Sequence, residues 1–400
     1  MTDLTYGVLR WRNRLDFILS HHSKRPLERI DAAALIALRL GAYQLAFSSR
    51  VPQHAAVDES VRLASSYGSR KAAPFVNAVL RHIAREPETP RLPGRDAPVA
   101  YLMTTLSHPR WLARRYLERL GLEDAEARCK IHNEPPPLYV RVTAGASVSE
   151  VRARLDSHGV GSELVDDVPR ALRITDGGLR DSPPFLEGLV YIQDAGAQLV
   201  AQIVAPEPGA VVLDMCAAPG GKSLSLADQV GPAGSVIALD RRPPRAALVR
   251  TMTTRHRVRN VHVAVADAGS LPLAAKFERV LLDAPCSSIG TLQRNPDIKW
   301  RVVPDDLAAH NRAQLTLLRE GAGRLTGNGR LIYATCSSEP EENEDVVSAF
   351  LEGNPGFEVE PQEGRFARAD GAIQTRPERD RMDGYFACVL RRDGSAKIRA

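Results

Sequence analysis

Two cysteines sit in closely matching settings: Asp283-Ala-Pro-Cys286-Ser-Ser and Ala334-Thr-Cys336-Ser-Ser each close a short apolar run. A free thiol is only a few per cent ionised near neutral pH, yet its thiolate is a strong nucleophile. Two such groups in small, polar loops suggest covalent catalysis or a redox pair. The redox reading needs a disulfide between loops far apart in sequence, which nothing else in the chain requires. Cys129 and Cys388 lack that setting and read as buried structural residues.

Acids close the other apolar runs. The first run enters the turn Asp214-Met-Cys216-Ala217-Ala218-Pro219-Gly220-Gly221-Lys222-Ser223. Its small residues and two glycines allow close backbone approach to a ligand, and a helix start just beyond offers free N–H groups. Asp240 ends the second run, where an acid can accept from ribose hydroxyls, and Asp267 ends the third, placed for an adenine edge. One such acid is a helix N-cap as often as a ligand group. Three in succession after a Gly-rich turn favour a nucleoside-containing cofactor. Cys216 to Ser223 also fits the phosphate-binding pattern GxxxxGK[ST] everywhere but its first position, so a P-loop-like nucleotide hydrolase is the rival enzyme. That rival accounts for neither Asp240 and Asp267 nor the two thiols.

The elements that must position these groups are legible as apolar runs. Residues 211–213, 235–239, 261–265, 279–282 and 329–334 are short, rich in β-branched residues and close to uniformly apolar. Such runs are strands buried on both faces of a parallel sheet, so residues 189–392 read as a doubly wound α/β domain with its ligand crevice at the strand C-termini. Residues 101–188 read as a small α+β module. A helical pattern at 111–120, strands at 138–142, 163–165 and 171–174 and an amphipathic helix at 148–155 support this, with one sheet face offered to RNA. The Pro-rich stretch within 86–100 is a linker. Residues 1–85 are all-helical: Ile36, Leu40, Tyr43 and Phe47 predict one core face, and Phe75, Val79 and Ile83 another.

Positive charge is concentrated at the N-terminus. Residues 1–85 hold 13 Lys+Arg against 6 Asp+Glu, whereas the remainder holds 40 against 42. That asymmetry suits one module that attracts phosphates, or a solvated helix surface. Seven arginines between Arg241 and Arg259 read as an exposed helix face, part of it along an RNA path. The five cysteines form no CxxC pair, which argues against a disulfide framework or a zinc site and for a reducing, cytoplasmic setting. No apolar run reaches the length of a membrane span. A monomer without metal is expected.

At the motifs quoted above the chain resembles the RsmB (Sun/Fmu) type of bacterial ribosomal RNA cytosine-5 methyltransferases. Arg294-Asn-Pro-Asp-Ile-Lys-Trp300, Glu341-Glu-Asn343, Asn133-Glu-Pro-Pro-Pro137, Val190-Tyr-Ile-Gln-Asp194 and Asp383-Gly-Tyr-Phe386 extend the similarity over essentially the whole length. The resemblance implies a Rossmann-like class I methyltransferase domain whose last strand is antiparallel, behind the α+β module and an RNA-binding NusB-like domain. Tyr6-Gly-Val-Leu-Arg10 resembles a stretch that further helices precede in the family, so an N-terminally shortened NusB-like module is expected. The resemblance assigns residues 216–222 with Asp240, Asp267 and Asp283 to S-adenosylmethionine. It makes Cys336 the nucleophile on cytosine carbon 6, Asp283 the partner of the base edge and Cys286 the group that assists release. Residue pattern alone does not rank the thiols, because DNA cytosine methyltransferases use a Pro-Cys nucleophile. Lys299 reads as a contact to substrate phosphate or base, or as a solvated loop lysine. The implied substrate is small-subunit (16S) ribosomal RNA; a non-catalytic RNA-binding or assembly factor on the same fold is the alternative from another class.

Overall fold

The computed structural model describes residues 2–48, 51–69, 71–85, 90–271 and 274–392. Part of the expected linker, residues 86–89, lies outside them. The chain divides into two compact units: Met1–Pro135 with Leu292–Arg301, and Pro136–Thr291 with Val302–Ala400.

In the first unit, helices α1 (Thr2–His22), α2 (Ala32–Phe47), α3 (Gln53–Tyr67) and α4 (Ala72–Arg85) enclose a core of Leu15, Leu19, Leu38, Val76 and Leu80. Asp31 caps α2 by accepting from the Ala34 N–H, and Arg39 clasps Asp16 of α1 through two hydrogen bonds of 2.7 and 2.8 Å. Of the α2 side chains expected to face inward, Tyr43 and Phe47 pack against this core, but Ile36 does not. Ile36 is 57% exposed, and the buried positions are Ala34, Ala37, Leu38, Gly41 and Ala42. Small residues let the neighbouring helices close in: a Cβ on Gly41 would stand 2.4 Å from Leu80 Cδ1. A fifth long helix, α5 (Arg110–His132), belongs to this unit although the sequence pattern placed it with the α+β module.

The second unit carries two sheets. Strands β1 (Leu138–Val142), β2 (Ser162–Leu164), β3 (Ala171–Ile174) and β4 (Val190–Ile192) form an antiparallel sheet in the order β2-β3-β1-β4. Helix α6 (Val148–Asp156), capped by Ser147, buries Val151 and Leu155 against it. Arg141 of β1 reaches Asp228 at 3.2 Å, on the helix that follows the Gly-rich turn.

Helix α7 (Ala195–Ile203) leads into the larger sheet. Its strands are β5 (Val211–Asp214), β6 (Ser235–Asp240), β7 (Val261–Val265), β8 (Phe277–Asp283), β9 (Leu325–Thr335), β10 (Phe357–Val359), β11 (Ile373–Gln374) and β12 (Phe386–Arg392). The order is β10-β12-β9-β8-β5-β6-β7, with β11 paired to β12. Strands β5 to β9 run parallel, and β12 joins β9 antiparallel. Helices α8 (Gly221–Val230), α9 (Pro243–Arg255), α10 (Pro304–Gly323) and α11 (Glu344–Gly353) cover the sheet, whose central strands bury Val212, Leu213, Val280, Leu281, Leu331 and Ile332 completely. Because β6 and β8 flank β5, the strand order reverses at β5, where an open α/β sheet leaves a ligand crevice. No helix among the described residues is long and apolar enough to cross a membrane.

Candidate active site at the strand ends

The Gly-rich turn follows the reversal strand. Met215 N–H donates to Leu281 O and Ala217 N–H to Leu239 O, so the turn is pinned to both neighbouring strands. Gly220 caps α8 with φ at 114°, a region closed to ordinary side chains, and a Cβ there would stand 3.2 Å from Val249 Cα. Beneath the turn, Asp214 is 1% exposed. Ser223 Oγ donates to its Oδ2 at 2.6 Å, while Oδ1 is buried without a hydrogen-bond partner. Burial pushes the Asp214 carboxyl up to about 7, with the Ser223 bond working the other way. Cys216 is half-buried, and burial with the charge of Asp214 drives its thiol far upward, which keeps it neutral.

The three expected acids stand at successive strand ends. Asp240 accepts from Arg242 N–H at 2.9 Å and from Arg245 Nε at 3.0 Å. Asp267 is exposed and accepts from Gly269 N–H. Asp283, level with Ala334 across β8 and β9, receives Lys222 Nζ at 2.7 Å. Burial works against the Lys222 ammonium, but Asp283 outweighs it and the net shift is upward; the ammonium also lies 4.9 Å from the Tyr385 ring centroid. The small turn, the orphaned Asp214 oxygen and the acids at the next two strand ends fit an adenosyl cofactor laid across the crevice. Lys222, which a P-loop enzyme would aim at phosphates, is committed to Asp283.

The two thiols meet. Cys286 Sγ and Cys336 Sγ are 3.4 Å apart, and Ser288 Oγ lies 3.3 Å from Cys336 Sγ. They are inequivalent. Cys286 is pushed well up, first because its S–H is held by Cys336, then by burial and by the negative charges of Cys336 and Glu342. Cys336 is drawn down, first by the hydrogen bond from Cys286 and then, against burial and Asp283, by Ser288 and the Lys222 ammonium. The Lys222 ammonium thus lies on the Cys336 side of the pair and the Glu342 charge opposes ionisation of Cys286. Ser288, Tyr385 and the Lys222–Asp283 pairing were not read from the sequence, because nothing local marks a partner on another strand.

Lys299 requires a correction. It is 1% exposed within the first unit, where Nζ donates to Asn133 Oδ1 at 2.6 Å and to the carbonyls of Arg10 and Ser107. Burial lowers its pKa to about 7. Neither a phosphate contact nor a solvated lysine describes it; it is an internal strut. Trp300 Nε1 donates to Leu9 O and Arg10 donates to Gln293 O, so the whole segment 292–301 is fastened to α1.

Comparison with known proteins supplies the lineage. A family model described as 16S rRNA methyltransferase RsmB/F matches residues 201–391, the NusB family matches residues 1–85, and a ferredoxin-like domain of RsmF/B-like methyltransferases matches residues 108–178. The chain is 36% identical to ribosomal RNA small subunit methyltransferase B of Pseudomonas putida over 88% of this chain and 81% of that one. It is 34% identical to the protein of the same name from Pasteurella multocida, over 98% and 87%. The crystal structure of PH0851 superposes with a TM-score of 0.87 at 26% identity, covering 98% of this chain and 89% of that one. These similarities displace the nucleotide-hydrolase alternative, and the chain belongs to the RsmB/F family of S-adenosylmethionine-dependent ribosomal RNA methyltransferases.

Proposed function

We propose that the protein methylates carbon 5 of a cytosine in small-subunit ribosomal RNA through a covalent adduct on Cys336. The observation that carries this reading is the pair of inequivalent thiols, 3.4 Å apart, beside the Lys222–Asp283 ion pair. S-adenosylmethionine, when bound, supplies the electrophilic methyl. The Cys336 thiolate adds to carbon 6, and the electron pair of the 5,6 double bond becomes available at carbon 5 for attack on that methyl. Asp283, held by Lys222, faces the N3/N4 edge of the base and stabilises the adduct.

Adduct formation changes Cys286. Once Cys336 is a thioether, it no longer bears the charge that raises its neighbour, and the Cys286 S–H loses its acceptor. A base takes the carbon 5 proton, the C–H electron pair re-forms the 5,6 double bond, and the carbon 6–sulfur bond breaks with its pair returning to Cys336, whose leaving thiolate the Cys286 S–H stabilises by hydrogen bonding. A base within structured RNA must first leave its stack, at a cost of a few kcal/mol that phosphate contacts offset.

The test is covalent trapping. Cys286→Ala is expected to accumulate an RNA–protein adduct on denaturing gels in the presence of cofactor, and Cys336→Ala to give neither adduct nor methylated product. The reverse pattern would overturn the assignment of the nucleophile. Bisulfite sequencing of the RNA locates the cytosine.

A further inference from the structure

Glu342 is fully buried, in the short turn that precedes α11. Its Oε1 accepts from Ser287 N–H at 2.6 Å and from Gln314 Nε2 at 3.5 Å. Its Oε2 accepts from Ser287 Oγ at 2.5 Å and from the Ser337 hydroxyl. Ser287 and Ser337 are the residues immediately after Cys286 and Cys336. Gln314 also donates to Pro285 O, just before Cys286, and Asn343 accepts from Thr335 Oγ1 and donates to Ser337 O, on either side of Cys336. A buried carboxylate is strongly disfavoured unless hydrogen bonds compensate it. Here the compensating donors come from both cysteine loops.

We infer that Glu342 is a positioning residue for the thiol pair, whose carboxylate ties the loop after β8 to the loop after β9 and keeps the nucleophilic role on Cys336. The inference rests on the two-thiol reading above. Sheet register alone leaves the loops beyond Asp283 and Thr335 free to diverge, since the strand pairing of β8 with β9 ends at Asp283 and Ala334. Beyond it, the Gly290 N–H donates to Cys336 O, and the serine–carboxylate clasp adds the side-chain link. The carboxylate's charge also opposes ionisation of Cys286. Position and charge act in the same direction.

Thiol labelling tests this without any RNA. Full-length protein is treated with limiting iodoacetamide at neutral pH, and labelling of the two cysteine peptides is compared by mass spectrometry. Wild type is expected to label at Cys336 in preference to Cys286. In Glu342→Gln the amide presents a donor where the carboxylate accepts two hydroxyls, and the preference should fall about tenfold, the equivalent of one pKa unit. Ser337→Ala, which loses one hydrogen bond and little volume, should move the ratio the same way, with Ser287→Ala weaker because its backbone N–H remains. S-adenosylmethionine affinity should stay within about twofold of wild type in each variant. Wild-type preference in both Glu342→Gln and Ser337→Ala would overturn the inference, as would a loss of preference confined to variants that also lose cofactor binding. A wild-type preference for Cys286 would instead overturn the choice of nucleophile, and a change of that ratio in the variants would still support Glu342.

Discussion

Asp214 shows how the turn over β5 is poised. Its carboxyl, raised to about 7 by burial, holds a proton that the unfolded chain has already released between the ordinary carboxyl pKa and neutrality. The folded state binds more protons across that interval, so this residue makes stability fall as pH rises from about 4 to about 7. Asp214→Asn should remove the slope, leaving the variant more stable relative to wild type at pH 8 than at pH 5 by at most roughly 3 kcal/mol. Urea unfolding at the two pH values measures it, and parallel curves would dismiss the effect. The strand-end acids and cysteines were legible in sequence because each closes an apolar run. Their pairings were not: the Lys222–Asp283 bond and the Glu342 clasp join residues whose neighbours in sequence carry no sign of each other.

At the scale of elements, the segment 292–301 and helix α5 share a buried polar cluster. His108 Nε2 lies 3.3 Å from His132 Nδ1, and both rings are buried. Burial, then the nearby Lys299, pulls each well below the ordinary histidine pKa. Below about pH 6.5 the unfolded chain takes up protons that the folded rings refuse, so this cluster loses stability as pH falls through that value. Amide exchange in α5, corrected for its intrinsic rate, should quicken on going from pH 7.5 to pH 5. His108→Phe with His132→Leu should flatten that dependence; an unchanged slope would place the acid sensitivity elsewhere. Sequence reading places the strands well because β-branched apolar runs mean buried strands in almost any context. It misjudges Ile36 because the closest packing of α2 is made by alanines and a glycine, whose value lies in what they leave out. It misplaces Lys299 because burial of a lysine depends on acceptors such as Arg10 O, 289 residues away.

Across the whole molecule, the excess of basic residues in the first 85 and the acid-and-thiol crevice of the large sheet fall in different units. The helical module builds a closed core from α1 to α4 within its own sequence, and the NusB family match spans the same residues. Its neighbour α5 is less self-sufficient, since Asn133 and the Ser107 carbonyl find Lys299 only from the far side of β8 in the chain. That arrangement has a consequence for biosynthesis. A ribosome making this protein delivers α1 to α5 early, then must translate the small sheet, β5 to β8 and the loop of Cys286 before residues 292–301 emerge. The first unit therefore waits, incomplete, while the chain grows from residue 135 to residue 301 of its 400. Stalled nascent chains should show protease protection of α5 only once residue 301 has left the exit tunnel, and protection at residue 200 would show that the early helices settle without it.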